Sequence, residues 1–321
     1  MNTVLNKEAL KILENSSNSL DEKEMKKLHP KDLANISMVL SENHKFDESY
    51  KIIEFLSENV EKNGSIHLRG EAFSSIFLLK ALTWYLFYQQ DENNSAKKYI
   101  RLIRNGINYI EEKNDDHFLL LTRFRKEKKV CIWENAEFLS FADTLLEILN
   151  YNDYVKDSDR VFMLKGKIEI GFERYLYNRE YKTLISEFNL KGEYRECSYL
   201  DIVKIANLIP VMIKDKVPDN FNPKNLLKEV EKVGDICEIL LYLKIFDKKE
   251  FEKLYKNYRS MLKSFPYRVY HQDKYQKIFD ISKKINKDFE EEIDRIKSKK
   301  LVLRELNSVK TAYRVSMIEK E

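Results

Sequence analysis

The chain has 321 residues, of which 43% are hydrophobic and 34% charged, and its formal net charge is +4. This composition is that of a globular protein, because disordered chains have fewer apolar residues and a more one-sided charge. The low counts of Gly (7) and Pro (5) argue against a β-rich fold, which needs these residues at its many turns. Basic and acidic residues are mixed along the chain, so they indicate solvated helix surfaces and no nucleic-acid partner.

The three cysteines, Cys131, Cys197 and Cys237, are far apart, and none lies at zinc-ligand spacing from a histidine or another cysteine. This pattern predicts reduced thiols in a cytoplasmic protein with no metal and no cofactor. The N-terminal segment has no apolar core long enough for a signal peptide. The apolar run 73–88 contains Lys80 and is shorter than the ~20 residues of a membrane span, so it predicts a buried helix and no membrane partner.

Hydrophobic residues recur at helical spacing through most of the chain, which predicts an all-α fold of about twelve helices in antiparallel pairs. A helical leader occupies residues 1–30, and proline or turn residues separate several of the later helices. The predicted pairs are 31–42 with 46–61, 71–90 with 95–112, 134–150 with 155–177, 198–214 with 223–232, 235–246 with 248–264, and 271–284 with 287–317.

Helices that are apolar on most faces alternate with helices that carry a single apolar stripe. A helix that is apolar all round is surrounded by protein, whereas a striped helix has one side in water. The alternation predicts two concentric layers, an α/α toroid, as a single domain over 31–321. An open α-solenoid is the alternative, although no repeat of fixed length supports it. The C-terminal helix at 287–317 either closes the ring or protrudes as a homo-oligomerisation helix.

In a toroid, the loops before the inner helices lie at one end, beside helix N-termini that carry a partial positive charge. The loops before residues 71, 134, 198 and 271 all mix aromatic with charged residues. Sugar recognition uses both kinds, because aromatic rings stack on apolar sugar faces and charged groups bind hydroxyls. The predicted partner is therefore a carbohydrate. The candidate substrate-binding residues are Arg69, Glu71, Trp133, Tyr194 and Arg195.

Three segments have the pattern of a known enzyme family. The Trp133-Glu134 step opens an inner helix, the segment 197–200 (CSYL) leads towards Pro210, and the segment 69–73 (RGEAF) lies upstream. In these segments the chain resembles the six-hairpin α/α-toroid glycosidases of the glucoamylase and trehalase type.

The resemblance implies an inverting glycoside hydrolase that acts on an α-glucoside or a related oligosaccharide. Such an enzyme uses two carboxyl groups ~6.5–9.5 Å apart, one to protonate the leaving oxygen and one to activate water. Glu134 matches the family's general acid, and the candidates for the base are Asp273, Glu196 and Glu193.

The sequence also departs from the family pattern. Gly70 and Cys197 stand where relatives have aspartates, and the family's C-terminal catalytic glutamate has no counterpart. These departures leave two other functions open, a catalytically inactive carbohydrate-binding or regulatory relative and a helical protein-interaction scaffold. The sequence contains no GxGxxG, GxxxxGK[ST], GxSxG or HExxH motif, which argues against nucleotide, serine-hydrolase and zinc-protease chemistry.

Overall fold

In a computed structural model we describe residues 22–264, apart from gaps at 27, 63, 69, 90–94, 115–116, 125–126, 190 and 231–232. The described residues fall into two compact units, 22–221 and 222–264. Most of the predicted leader and the predicted pair 271–284 with 287–317 lie outside the described residues. The prediction of a single domain over 31–321 therefore stays a prediction.

Helices make up most of the larger unit, which confirms the predicted predominance of helix. They are α1 (Glu22–Met25), α2 (Pro30–Glu42), α3 (Phe46–Glu58), α4 (Ile76–Tyr88), α5 (Ser95–Lys113), α6 (Ile132–Tyr151), α7 (Val155–Gly171), a π-helix (Phe172–Leu176), α8 (Tyr199–Leu208) and α9 (Pro210–Ile213). The predicted helix over 198–214 is interrupted at Ile209, because Pro210 has no N–H with which to continue the helix.

Short antiparallel strands, which the sequence analysis did not predict, lie in the loops before α4, α6 and α8. They are β1 (Ile66–Leu68), β2 (Glu71–Phe73), β3 (Leu121–Phe124), β4 (Glu127–Cys131), β5 (Tyr177–Asn178), β6 (Thr183–Asn189) and β7 (Tyr194–Glu196). Strands β1 and β2 form a hairpin, β3, β4, β6 and β5 lie side by side in that order, and β7 also pairs with β6. The prediction of helix for residues 71–73 is therefore wrong, because this segment pairs with β1.

The helices of the larger unit form two layers. Inner helices α2, α4, α6 and α8 pack side by side in this order, and outer helices α3, α5 and α7 each pack on the inner helix that precedes them. Ten of the 13 residues of α2 are buried, and ten of 13 in α4, against five of 13 in α3. The alternation of buried and half-exposed helices follows the sequence pattern, while closure of the layers into a toroid stays a prediction.

A buried ion-pair network connects three inner helices, and we call Lys31, Lys80 and Glu137 the Lys–Glu–Lys network. The Glu137 carboxylate of α6 lies 2.6 Å from Lys31 Nζ of α2 and 2.8 Å from Lys80 Nζ of α4. Lys80 also donates to Asn35 Oδ1 of α2 at 2.8 Å. The side chains of Lys80 and Glu137 are only 3% and 1% exposed, so each charge depends on these partners.

The lysines also determine the ionisation of Glu137. Burial by itself would raise the pKa of this carboxyl group. The positive charges of Lys31 and Lys80, together with their hydrogen bonds, outweigh burial and lower the pKa of Glu137 from 4.5 to about 2. Glu137 is therefore a carboxylate throughout the neutral pH range.

A glycine allows close packing where α7 meets the π-helix. A Cβ on Gly171 would lie 2.5 Å from the backbone oxygen of His117 and 2.8 Å from Leu119 Cγ. The chain before β3 thus packs directly against the backbone of α7. Near the start of the same helix, Arg104 of α5 pairs with Asp157 at 2.9 Å, which joins two outer helices.

The smaller unit contains three helices, α10 (Pro223–Glu229), α11 (Val233–Phe246) and α12 (Lys248–Ser264). The Asn222 side chain caps α10 by accepting from the backbone N–H of Lys224, and Lys224 pairs with Glu250 of α12 at 3.0 Å. Among the helices in 22–264, none is long and apolar enough to cross a membrane.

We predict that Glu137→Gln lowers the free energy of unfolding at pH 7 by about 3–5 kcal/mol, because it leaves two lysine charges without their carboxylate. Urea unfolding followed by circular dichroism measures the change. Glu147→Gln, on the exposed side of the same helix, is the control and should change stability by less than about 0.5 kcal/mol.

The difference in unfolding free energy between wild type and Glu137→Gln has a defined pH dependence. The pKa of Glu137 is lower in the folded protein, at about 2, than its ordinary value of 4.5. The stability that ionised Glu137 contributes to the folded protein is therefore complete above pH 4.5 and is lost as the pH falls towards 2. The stability difference between wild type and Glu137→Gln should shrink over that interval, and a difference that stayed constant would contradict the assigned ion pairs.

Candidate functional site

The inner helices α2 and α4 begin side by side. His29, the residue before α2, accepts a hydrogen bond from the Lys31 backbone N–H through Nδ1 at 3.0 Å. Its ring meets the ring of Phe73, at the end of β2, with a centroid distance of 4.8 Å, and that of Phe77, in the first turn of α4, at 5.5 Å. Because the Lys–Glu–Lys network joins the same two helices to α6, the three helices start at the same end of the layer.

The strands extend this alignment to α8. Strand β4 runs directly into α6, and β7 ends shortly before α8. Both strands pair with β6, with Cys131 of β4 opposite Glu187 and Arg195 of β7 opposite Glu187 on the other side. The four inner helices therefore start at one end, where the sequence analysis placed the candidate residues.

Trp133 and Glu134 occupy the first turn of α6, and both side chains are half-buried. Lys31 Nζ lies 5.1 Å from the centroid of the Trp133 ring, within the range of a cation–π contact. Lys31 also pairs with Glu137, one turn further along α6. Trp133 is therefore held against the side chain that connects α2 to α6.

Glu134 acts electrostatically on Tyr109 of the outer helix α5. Burial raises the pKa of the Tyr109 hydroxyl to about 12, the negative charge of Glu134 adds to the rise, and a hydrogen bond with Ser74 opposes it. The Tyr109 ring also packs on Gly64, where a Cβ would lie 3.0 Å from its Cδ2. The hydroxyl group thus remains protonated beside Glu134 at neutral pH.

A buried amide secures the start of α6. Asn135 donates to the Cys131 backbone oxygen at 2.9 Å through Nδ2, and its Oδ1 accepts from the Leu120 backbone N–H at 2.9 Å. These two bonds attach the segment that leads into β3 to the first turn of the helix. The positions of Trp133 and Glu134, which directly precede Asn135, are therefore restricted.

The other predicted site residues are exposed or outside the described residues. Glu71 is exposed on β2, and Tyr194, Arg195 and Glu196 are exposed on β7, with Tyr194 56% exposed. Glu193 accepts from Asn189 Nδ2 at 2.6 Å, within the turn between β6 and β7. Arg69 and Asp273 lie outside the described residues.

Gly70 has a structural reason to be glycine. Its φ is 75°, a left-handed conformation that glycine adopts at low cost, and it lies in the turn of the β1–β2 hairpin. The position that the sequence analysis aligned with a sugar-anchoring aspartate is therefore a turn position in this chain.

Sequence reasoning missed the residues that organise this end of the layer, namely Lys31, Lys80, Glu137, Asn135 and Tyr109. One signal was available, because Lys80 interrupts an otherwise apolar run. A charge inside a buried helix requires a partner, and Glu137 lies in the next apolar helix along the chain.

The two half-buried cysteines near this site are poor nucleophiles. Burial raises the pKa of Cys131 to about 11, and the charges of Glu134 and Glu187 add to the rise. Burial likewise raises the pKa of Cys197 to about 12, with further contributions from Asp201 and Cys131. The central strand β6 separates the strand of Cys131 from the segment of Cys197.

A cavity of about 810 Å³ lies elsewhere in the larger unit. It is bordered by the middle of α6, the end of α7, the π-helix and α9, and it includes Leu139, Ile170, Arg174 and Val211. No predicted site residue lines this cavity. No group of three or more potential metal ligands occurs in the part of the chain that the structure describes.

Comparison with known proteins gives a likeness of fold. No protein-family model and no curated protein matches the sequence. A solved structure described as a novel alpha-amylase from Clostridium perfringens resembles the chain with a TM-score of 0.50 and 12% sequence identity. The match covers 89% of this chain and 86% of the amylase chain. The two proteins therefore share an arrangement of helices over most of their length.

We predict that Cys131 and Cys197 react slowly with iodoacetamide in the native protein at pH 8, because the thiolate is the reactive form and both pKa values are raised. Peptide mass spectrometry should show modification at least about 10-fold slower than in the protein unfolded in guanidinium chloride. Rapid native labelling of either peptide would contradict the protonated state of these thiols.

Proposed function

We propose that the chain is a glycoside hydrolase that acts on an α-glucoside or a related oligosaccharide at the end of the helix layer where α6 begins. The single observation that carries the proposal is the position of the Trp133-Glu134 step, in the first turn of an inner helix. The likeness in fold to a protein described as an alpha-amylase supports the same chemistry.

The charges at this helix start favour Glu134 as the general acid. Two glutamates lie one turn apart, Glu134 and Glu137. Glu137 is held as a carboxylate by two lysines, so it has no proton to give at neutral pH. Glu134 lies one turn nearer the start of the helix, next to Trp133, and its side chain is half-buried.

Glu196 is our candidate for the base in an inverting mechanism. Arg195 and Cys131 lie on opposite sides of Glu187 in the sheet, so their Cα atoms are two strand spacings, roughly 10 Å, apart. Glu196 directly follows Arg195 in the sequence, and Glu134 lies three residues after Cys131. This neighbourhood supports Glu196 as the partner of Glu134, because an inverting enzyme needs its two carboxyl groups ~6.5–9.5 Å apart. Asp273 is the alternative base.

Substrate contacts follow from the same arrangement. The half-buried Trp133 ring would stack on a sugar ring, while Tyr194 and Arg195 on exposed β7 would bind at its edge. Glu71 on the β1–β2 hairpin, with Arg69 in the same segment, would contact a further hydroxyl group.

Carbohydrate binding without hydrolysis is the second candidate, and Gly70 is the observation that favours it. The turn conformation at Gly70 leaves no side chain where relatives anchor the terminal sugar with an aspartate. Loss of that anchor would weaken positioning of the scissile bond more than binding of the rest of the glycan.

We predict that wild-type protein hydrolyses an α-glucan oligosaccharide, and that Glu134→Gln lowers kcat at least about 100-fold because the proton donor is removed. Binding on a glycan array should persist in the variant. Glu147→Gln, at an exposed position late in the same helix, is the matched control and should leave kcat unchanged.

Each outcome decides between the candidates. Hydrolysis that is equally fast in Glu134→Gln would remove Glu134 from the mechanism. Glycan binding with no hydrolysis in wild type would favour the second candidate, and a protein that neither binds nor hydrolyses any glycan would overturn both.

A further inference from the structure

The outward face of α7 exposes large apolar side chains. Phe162 is 65% exposed, Met163 59% and Ile170 45%, and Val211 at the start of α9 is 93% exposed. We call Phe162, Met163, Gly166 and Ile170 the α7 stripe, because Phe162, Gly166 and Ile170 recur every four residues along one helix face and Met163 adjoins that face. An exposed apolar stripe of this kind is typical of a surface that another protein covers.

Gly166 lies in the middle of this stripe. A Cβ at this position would meet no atom within 4 Å, so no contact within the chain requires glycine there. Glycine is unfavourable inside a helix, whereas Gly171 in the same helix is needed for close packing. A close approach by another helix would explain why the outward position lacks a side chain.

The stripe is nearly symmetric about Gly166. Phe162 lies four residues before it and Ile170 four residues after it. If two copies of α7 cross antiparallel at Gly166, Phe162 of each copy meets Ile170 of the other. Such self-complementarity is the requirement for an isologous two-fold interface.

The charges at the two ends of the stripe are also complementary. Exposed Asp159 lies seven residues before Gly166, and exposed Arg174, in the π-helix, lies eight residues after it. Neither forms an ion pair with any residue that the structure describes. An antiparallel crossing brings Asp159 of each copy close to Arg174 of the other. Lys165, near the crossing point, is already paired with Asp143 at 2.8 Å and Glu169 at 3.4 Å, so it brings no unpaired charge.

The neighbouring cavity offers a place for Phe162 of a second copy to bind. The cavity of about 810 Å³ is lined by Ile170 and Gly166 of α7 and by Val211 beside them. Phe162 of a second copy, lying against Ile170, would enter the edge of this cavity. A buried aromatic side chain in a pocket is the usual energetic centre of an interface.

From these features we infer that the α7 stripe is the interface of a homodimer, in which two copies of this chain cross antiparallel at Gly166. This surface is different from the helix at 287–317, for which the sequence analysis predicted oligomerisation and which lies outside the described residues. The inference does not depend on the proposed enzymatic function.

Sedimentation equilibrium of the full-length chain tests the inference. Wild type should form a dimer at micromolar concentration, and Phe162→Glu and Gly166→Leu should each raise the dissociation constant at least about 30-fold. Ile245→Glu alters a side chain of α11 that is 42% exposed and should leave the constant unchanged. Circular dichroism confirms that each variant is folded. A monomeric wild type at 100 micromolar protein, or a dimer that is insensitive to Phe162→Glu, would overturn the inference.

A charge exchange tests the antiparallel arrangement. Asp159→Arg and Arg174→Asp should each weaken the dimer about 10-fold, because each places like charges opposite one another. The double variant should return to within about 3-fold of wild type, since it restores both pairs with the charges exchanged. A double variant no tighter than the weaker single variant would overturn the antiparallel crossing.

Discussion

One carboxylate paired with two lysines determines how the inner helices of this protein are aligned. Lys31, Lys80 and Glu137 come from three different helices, and the last two are almost completely buried. A buried charge without a partner is strongly destabilising, so the helices must pack with these side chains level. Apolar packing alone tolerates a shift along the helix axis more easily than an ion pair does. We infer that the network selects one register among those that the apolar faces would allow.

That register also sets the surroundings of two glutamates near the start of α6. Glu137 is kept ionised by the network, while Glu134 lies one turn nearer the helix start, beside Tyr109 and Trp133. Two glutamates on one helix thus have different environments, and we propose that Glu137 is structural while Glu134 acts on the ligand. The sheet adds β7 to the same end of the layer, because β4 and β7 both pair with β6. Residues more than 60 positions apart in sequence are in this way brought together.

Helical periodicity was enough to predict most helices of the larger unit and the alternation of buried and exposed helices. It failed at Glu71–Phe73 and Tyr194–Glu196, because strands of three residues are too short to show an alternating pattern. Trp133 and Glu134 were chosen as candidate site residues through a local motif. The Lys–Glu–Lys network was not, because pairing between Lys31 and Glu137 depends on which helices become neighbours. The identity of a second carboxyl group depends in the same way on tertiary contacts.

The central claim is that a glycan binds where α6 begins, at a site aligned by the buried network. A crystal structure of the Glu134→Gln variant soaked with maltotriose tests it most directly, because the variant should bind the sugar without cleaving it. We expect a sugar ring on the Trp133 face, hydrogen-bonded to the side chain at position 134, with Lys31 and Lys80 still paired with Glu137. Sugar bound only in the cavity along α7, or no bound sugar at a concentration that saturates binding in solution, would contradict it.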